Sequence, residues 1–129
     1  MFPTDLTHFE RGEFKYPDLM DVSFLRWLDL VREKAGVTFE ITGDAREPGE
    51  MPSGASRTSL HFRGRAVDIR SRNWTAPQYF QVVAAVAALA DAAPGHVELE
   101  LVHGPTDQHC HLGVDDHPQA QHELLLAED

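Results

Sequence analysis

Two short segments, VELELVH (97–103) and HCHLGV (109–114), read as strands joined by the turn-like GPTDQ. A strand pair needs cover on its apolar face, so the rest of the chain must supply helices or further strands. Residues 21–35 place Phe24, Leu25, Leu28 and Val31 on one stripe, with Asp21 or Ser23 as cap and Gly36 as stop, and predict a helix. VTFEITG (37–43) alternates Val37, Phe39 and Ile41 with Thr38, Glu40 and Thr42, the pattern of a half-buried strand. Residues 44–58 hold two Pro and two Gly among polar residues and read as a long loop, a feature that in small domains often carries function.

After that loop, RAVDIRS predicts a short second strand in which Ala66 and Val67 lead to Asp68 and Ile69. Thr75 and Gln78 stand in capping-box spacing with Pro77 in the first turn, which predicts a second helix to about Ala92. Pro118 is placed to start a short last helix through QAQHELLLAE. The order of elements predicts an α+β fold, a small mostly antiparallel sheet with flanking helices.

At 129 residues, 42% hydrophobic and 25% charged, the chain reads as one domain over 1–129. Eleven Lys and Arg against 21 Asp and Glu leave a net charge of −10, which argues against nucleic acid as a partner. Asp115, Asp116, Glu123, Glu128 and Asp129 fall in the last stretch without a Lys or Arg, so 115–129 reads as an acidic, solvated C-terminal tail. No apolar stretch is long enough to span a bilayer, and MFPTDLTHFERGEF lacks the basic start and apolar run of a secretory signal. The expectation is a soluble chain, cytoplasmic at synthesis, without a membrane partner.

A single cysteine, Cys110, excludes an internal disulfide and a cysteine-rich zinc module, so any metal must be held by His and carboxylates. Eight histidines are present, and His61, His103, His109 and His111 fall near the ends of expected strands. Strand alternation points His109 and His111 to one side, with Asp107 if the strand starts that early, and Cys110 to the other as a core filler. His61 and Asp68 are seven apart, with Gly64 between them to allow a tight turn. Two imidazoles and one carboxylate form a usual three-ligand set for catalytic zinc, which makes water a nucleophile at neutral pH. Taken singly, a His-x-His is equally at home on an edge strand, and a loop His with a strand-end Asp is equally a turn. His122-Glu123 begins a His-Glu-x-x-His pattern, but Leu126 stands where the second His belongs, so HELLL reads as a helix face.

Together these residues resemble the zinc D-Ala-D-Ala carboxypeptidases and L-alanyl-D-glutamate endopeptidases of peptidoglycan, whose fold is shared with the hedgehog signalling domain. The family pattern Ser-x-His-x-x-Gly-x-Ala-x-Asp is matched at every fixed position by Ser59, His61, Gly64, Ala66 and Asp68. EITGDAREPG resembles the family's Thr-Ser-Gly-Tyr-Arg turn, with Arg46 in place of its Arg and Ala45 in place of its Tyr. FKYPDLM and LDLVREKAG resemble its opening, so the likeness covers roughly residues 10–114.

The resemblance implies that His61, Asp68 and His111 bind Zn2+, that Arg46 stabilises the oxyanion, and that Ser59 orients the loop or binds substrate. It implies a metallopeptidase, a hydrolase that cuts stem peptides of the bacterial cell wall, either as a D-Ala-D-Ala carboxypeptidase or as an L-Ala-D-Glu endopeptidase. The carboxypeptidase branch has a general-base Glu where this chain has Gln108, which takes no proton. The base is then Asp107, or a histidine (His109 or His103), or no base is present. A bare domain of this kind suits a phage endolysin, released by lysis, or a virion-borne enzyme. The alternative is a catalytically weak or inactive module that keeps zinc as structure and uses its surface for binding.

Overall fold

The structure, a computed structural model, describes residues 1–45 and 60–116. Helix α1 (Val22–Ala35) starts at Asp21, whose carboxylate accepts the Phe24 N–H, and stops at Gly36 in the left-handed conformation. Strand β1 (Ile41–Gly43) and strand β2 (Ala66–Arg70) follow. Helix α2 (Ala76–Leu89) opens with the reciprocal Thr75–Gln78 capping box and runs into a short 3₁₀ turn, Ala90–Ala92. Strands β3 (His96–His103) and β4 (Gln108–Asp115) close the described chain. The four strands form an antiparallel sheet in the order β1-β2-β4-β3. The α+β class with a small antiparallel sheet read from the sequence is the fold observed.

Val67, Ile69, Cys110, Leu112 and Val114 project from one face of the sheet into a common core with Phe24, Leu25, Leu28 and Val31 of α1 and Val82, Ala85 and Val86 of α2. Removing such side chains from water is the main stabilising contribution, about 25 cal/mol per Å² of apolar surface. The Trp27 indole N–H donates to the Leu89 carbonyl at 2.8 Å, tying α1 to the end of α2. The N-terminal strap adds Phe2, Phe9, Phe14 and Met20 to that core and is pinned by Asp29, which accepts the N–H groups of Thr7 and His8.

Three expectations change. The predicted strand over 37–43 is a strand only at Ile41–Gly43. The Arg70 N–H still reaches the Glu40 carbonyl, but β2 ends at Arg70, so among the described residues those before 40 have no partner strand there. Val37 and Phe39 are nonetheless buried, as the alternation predicts. The second correction concerns the acidic tail: Asp115 is the last residue of β4 and buried, with its carboxylate 3.8 Å from Arg63. Third, the second helix gives way to 3₁₀ geometry after Leu89 rather than continuing to Ala92. The loop beyond Ala45 and the helix expected from Pro118 lie outside the described residues.

Candidate metal centre

The sheet's other face carries the chemistry. In the β2–β4 register Asp68 stands opposite His111 and Arg70 opposite His109, so all four side chains share a face, while Cys110 opposite Ile69 takes the core. Cys110 is fully buried, and burial, with the Asp68 charge adding to it, pushes its thiol up to about 12. A thiol held in that state is a packing group, not a nucleophile.

His61 reaches the same face from a different element. Leu60–Arg63 forms a 3₁₀ turn closed by Gly64, whose φ of +67° favours glycine and whose hypothetical Cβ would lie 2.1 Å from the Leu19 carbonyl oxygen. The turn is held by the Gly64 N–H to His61 and the Arg65 N–H to Leu60, and folds back over β2 and β4. The small residues Ala66 and Gly113 leave room for it: a Cβ on Gly113 would meet Leu60 at 2.9 Å. The spacing of His61, Gly64, Ala66 and Asp68 therefore has a physical reading, with one residue for the ligand, one for the turn, one for clearance and one for the second ligand.

His61, Asp68 and His111 come together, with one donor atom from each lying within 4.8 Å of the others. His61 Nε2 is 3.5 Å and His111 Nδ1 3.2 Å from the same Asp68 oxygen. The remaining ring nitrogens are engaged elsewhere. His61 Nδ1 lies 2.8 Å from the Asp44 carbonyl oxygen, so it carries the proton and donates, leaving the Nε2 lone pair for the site. His111 Nε2 lies 3.6 Å from Glu98 on β3. Burial works against the Asp68 carboxylate, but the interactions with His111 and His61 outweigh it and hold its pKa well below the usual range. The hydrogen bond that His111 donates to the Asp68 carboxylate raises the His111 pKa against its burial.

This donor set could hold a metal ion: two imidazoles and a carboxylate converge, the outer nitrogen of His61 donates to a carbonyl and that of His111 faces a carboxylate at 3.6 Å. Asp44 and Glu98, the two acceptors, were not singled out in the sequence. Glu98 had a signal in the alternation of VELELVH, but that does not say which acid meets His111; in the register it is Glu100 that pairs directly, while Glu98 reaches the ring from the diagonal. Asp44 had none, because it acts through its backbone carbonyl. Its buried side chain meanwhile accepts the N–H groups of Lys15 and Tyr16, and burial raises its pKa despite them.

The three candidates for a general base separate. His109 Nε2 is 3.9 Å from the Asp68 oxygen, and its Nδ1 is 3.0 Å from the Asp107 carboxylate. Asp107 precedes β4, is exposed, and meets His109 rather than the ligand cluster. His103 pairs with Gln108 at the far end of the hairpin, and its ring packs on Tyr79 of α2, with centroids 5.5 Å apart, away from the cluster. Arg46 and Ser59 lie outside the described residues. No protein family, curated protein or solved structure matches the chain. Among the described residues no helix is long and apolar enough to cross a membrane.

Proposed function

We propose that the chain is a zinc-dependent peptidase that hydrolyses peptide bonds in peptidoglycan stem peptides, built on the hedgehog-type fold of the D-Ala-D-Ala carboxypeptidases and L-alanyl-D-glutamate endopeptidases. One observation carries the reading: the His and Asp of the Ser-x-His-x-x-Gly-x-Ala-x-Asp stretch and the second His of His-x-His, far apart in sequence, meet on one sheet face. His61, Asp68 and His111 would hold the ion. Zinc held there would supply Lewis acidity and a nucleophilic water near neutral pH.

The chain's own residues divide the remaining tasks. Asp44 and Glu98 aim the two imidazoles. His109 is the proton carrier, its Nε2 turned to the site and its Nδ1 held by Asp107, so Asp107 is a positioning residue rather than the base. Arg46 is assigned the oxyanion and Ser59 substrate or loop orientation, from the resemblance alone. The setting that suits such a domain is phage lysis or a virion.

A second reading is favoured by one feature. Gln108 occupies the position of the carboxypeptidase base, and a chain that lost its base while keeping its ligands would serve as a zinc-containing binding module, for example in a virion. Incubation of the zinc-loaded protein with purified muropeptides, followed by mass spectrometry, separates the two. The peptidase yields fragments of defined mass that vanish on chelation. Intact muropeptides across pH 5–9, with one zinc per chain, would leave the binding module.

A further inference from the structure

Beside His109 the edge of the sheet opens into a cleft of about 190 Å³, lined by Thr42, Arg70, Arg72, Asp107, Gln108 and His109. Its size suits one small group rather than a whole ligand, since pockets for drug-sized molecules start at about 300 Å³. Its chemistry is one-sided. Among the described residues that line it, two guanidinium groups, a hydroxyl and a carboxamide offer donors, and the one acid, Asp107, is turned to His109 Nδ1 at 3.0 Å. In a chain with a net charge of −10, two cations at one opening run against the overall field.

Each arginine is aimed by a neighbour. The Arg72 guanidinium donates to the Thr106 carbonyl at 3.3 Å, while Arg70 Nε stands 3.5 Å from Glu40. The Arg70–Glu40 pair is exposed, and exposed pairs contribute little, so a ligand that offers a better-placed acceptor can recruit Arg70. Arg70 is also directly opposite His109 in the register, so an anion seated in the cleft is one side chain away from the His-Asp-His cluster.

We infer that Arg70 and Arg72 form a subsite for a carboxylate of the peptide substrate, which orients the adjoining bond toward His109 and the cluster. This rests on the peptidase reading for its substrate, but not for its binding chemistry. Planar guanidinium groups take carboxylates through paired, charge-assisted hydrogen bonds, and an uncharged amide cannot replace that interaction.

The test is an NMR titration of the zinc-loaded full chain with N-acetyl-D-alanine and, separately, its carboxamide, following the backbone amides of Thr42 and Gln108 and the Arg Nε–H signals. The acid is expected to bind about tenfold more tightly than the amide, and Arg70→Gln with Arg72→Gln to bring the two within about twofold. Equal binding of acid and amide to wild type, or no saturable shift with the acid, would overturn the inference. So would an acid preference that survives in the double variant, because the metal would then be its source. Muropeptide hydrolysis in the same samples is read separately. A carboxylate preference without hydrolysis keeps the subsite and removes the peptidase, and hydrolysis without that preference removes the subsite alone.

Discussion

The two faces of strand β4 carry opposite assignments within four residues. Cys110 and Leu112 are fully buried among aliphatic and aromatic side chains of the helices, while His109 and His111, on the other face, meet carboxylates and remain about one-fifth exposed. The backbone hydrogen bonds of the ladder serve both faces at once. One face contributes stability in proportion to the apolar surface it removes from water, and the other holds polar groups at fixed separations. A substitution on either face therefore has a signature that the other should not share.

The largest expected difference comes from the ligands. His61→Ala or His111→Ala should abolish stoichiometric zinc binding in equilibrium dialysis, a loss beyond the 10–100-fold typical of an outer partner, while far-UV circular dichroism stays that of the folded chain. Retained zinc in either variant would break the assignment. On the same face, His109→Ala should lower muropeptide hydrolysis by about 10²–10⁴ in kcat with zinc content unchanged, and Asp107→Asn by a smaller factor. If Asp107→Asn fell as far as His109→Ala, Asp107 would be the base itself.

Leu112→Ala should do the converse. Urea unfolding is expected to show a loss of about 2–5 kcal/mol, with one zinc per chain in the folded fraction. Glu98→Gln should weaken zinc by about 10–100-fold without touching the unfolding midpoint of the metal-free protein by more than about 1 kcal/mol. Equal zinc affinity would mean that Glu98 does not orient His111.

The smallest effect is on pH. In the metal-free protein the lowered Asp68 pKa contributes stability above its unfolded value of about 3.9 and loses it as the pH falls toward the folded value. The raised His111 pKa contributes stability that is full below about 6.5 and disappears as the pH rises through the folded value. The pair therefore supports the fold most between about pH 4 and 6.5, and Asp68→Asn should flatten the stability profile there. The same proton on His111 competes with zinc, so apparent zinc affinity should rise with pH through neutrality.

Much of this division was legible in the chain. Alternation alone set Cys110 against His109 and His111, Gly36 and Thr75 marked helix ends to within a residue, and of the two caps open for the first helix, Asp21 and Ser23, the structure uses Asp21. What periodicity lacks is register. VELELVH shows that Glu98 and Glu100 share a face, but only the pairing with β4 brings Glu98 to the His111 ring. The shortened β1 has a similar cause, because whether Val37 to Glu40 pair depends on where β2 ends. His61 was placed near a strand end, and it sits instead on a 3₁₀ turn whose position is set by Leu60 over Gly113, a contact between residues more than fifty apart. Asp107 illustrates the limit of parity: just outside the strand, its side chain is governed by the turn and finds the His109 ring.

X-ray absorption at the zinc edge, on the zinc-loaded full chain, tests the central claim most directly. Two imidazoles and a carboxylate predict a shell of nitrogen and oxygen at about 2.0–2.2 Å with the outer-shell scattering of two histidine rings. A sulfur scatterer at about 2.3 Å, or a shell without the scattering of two histidine rings, would contradict it.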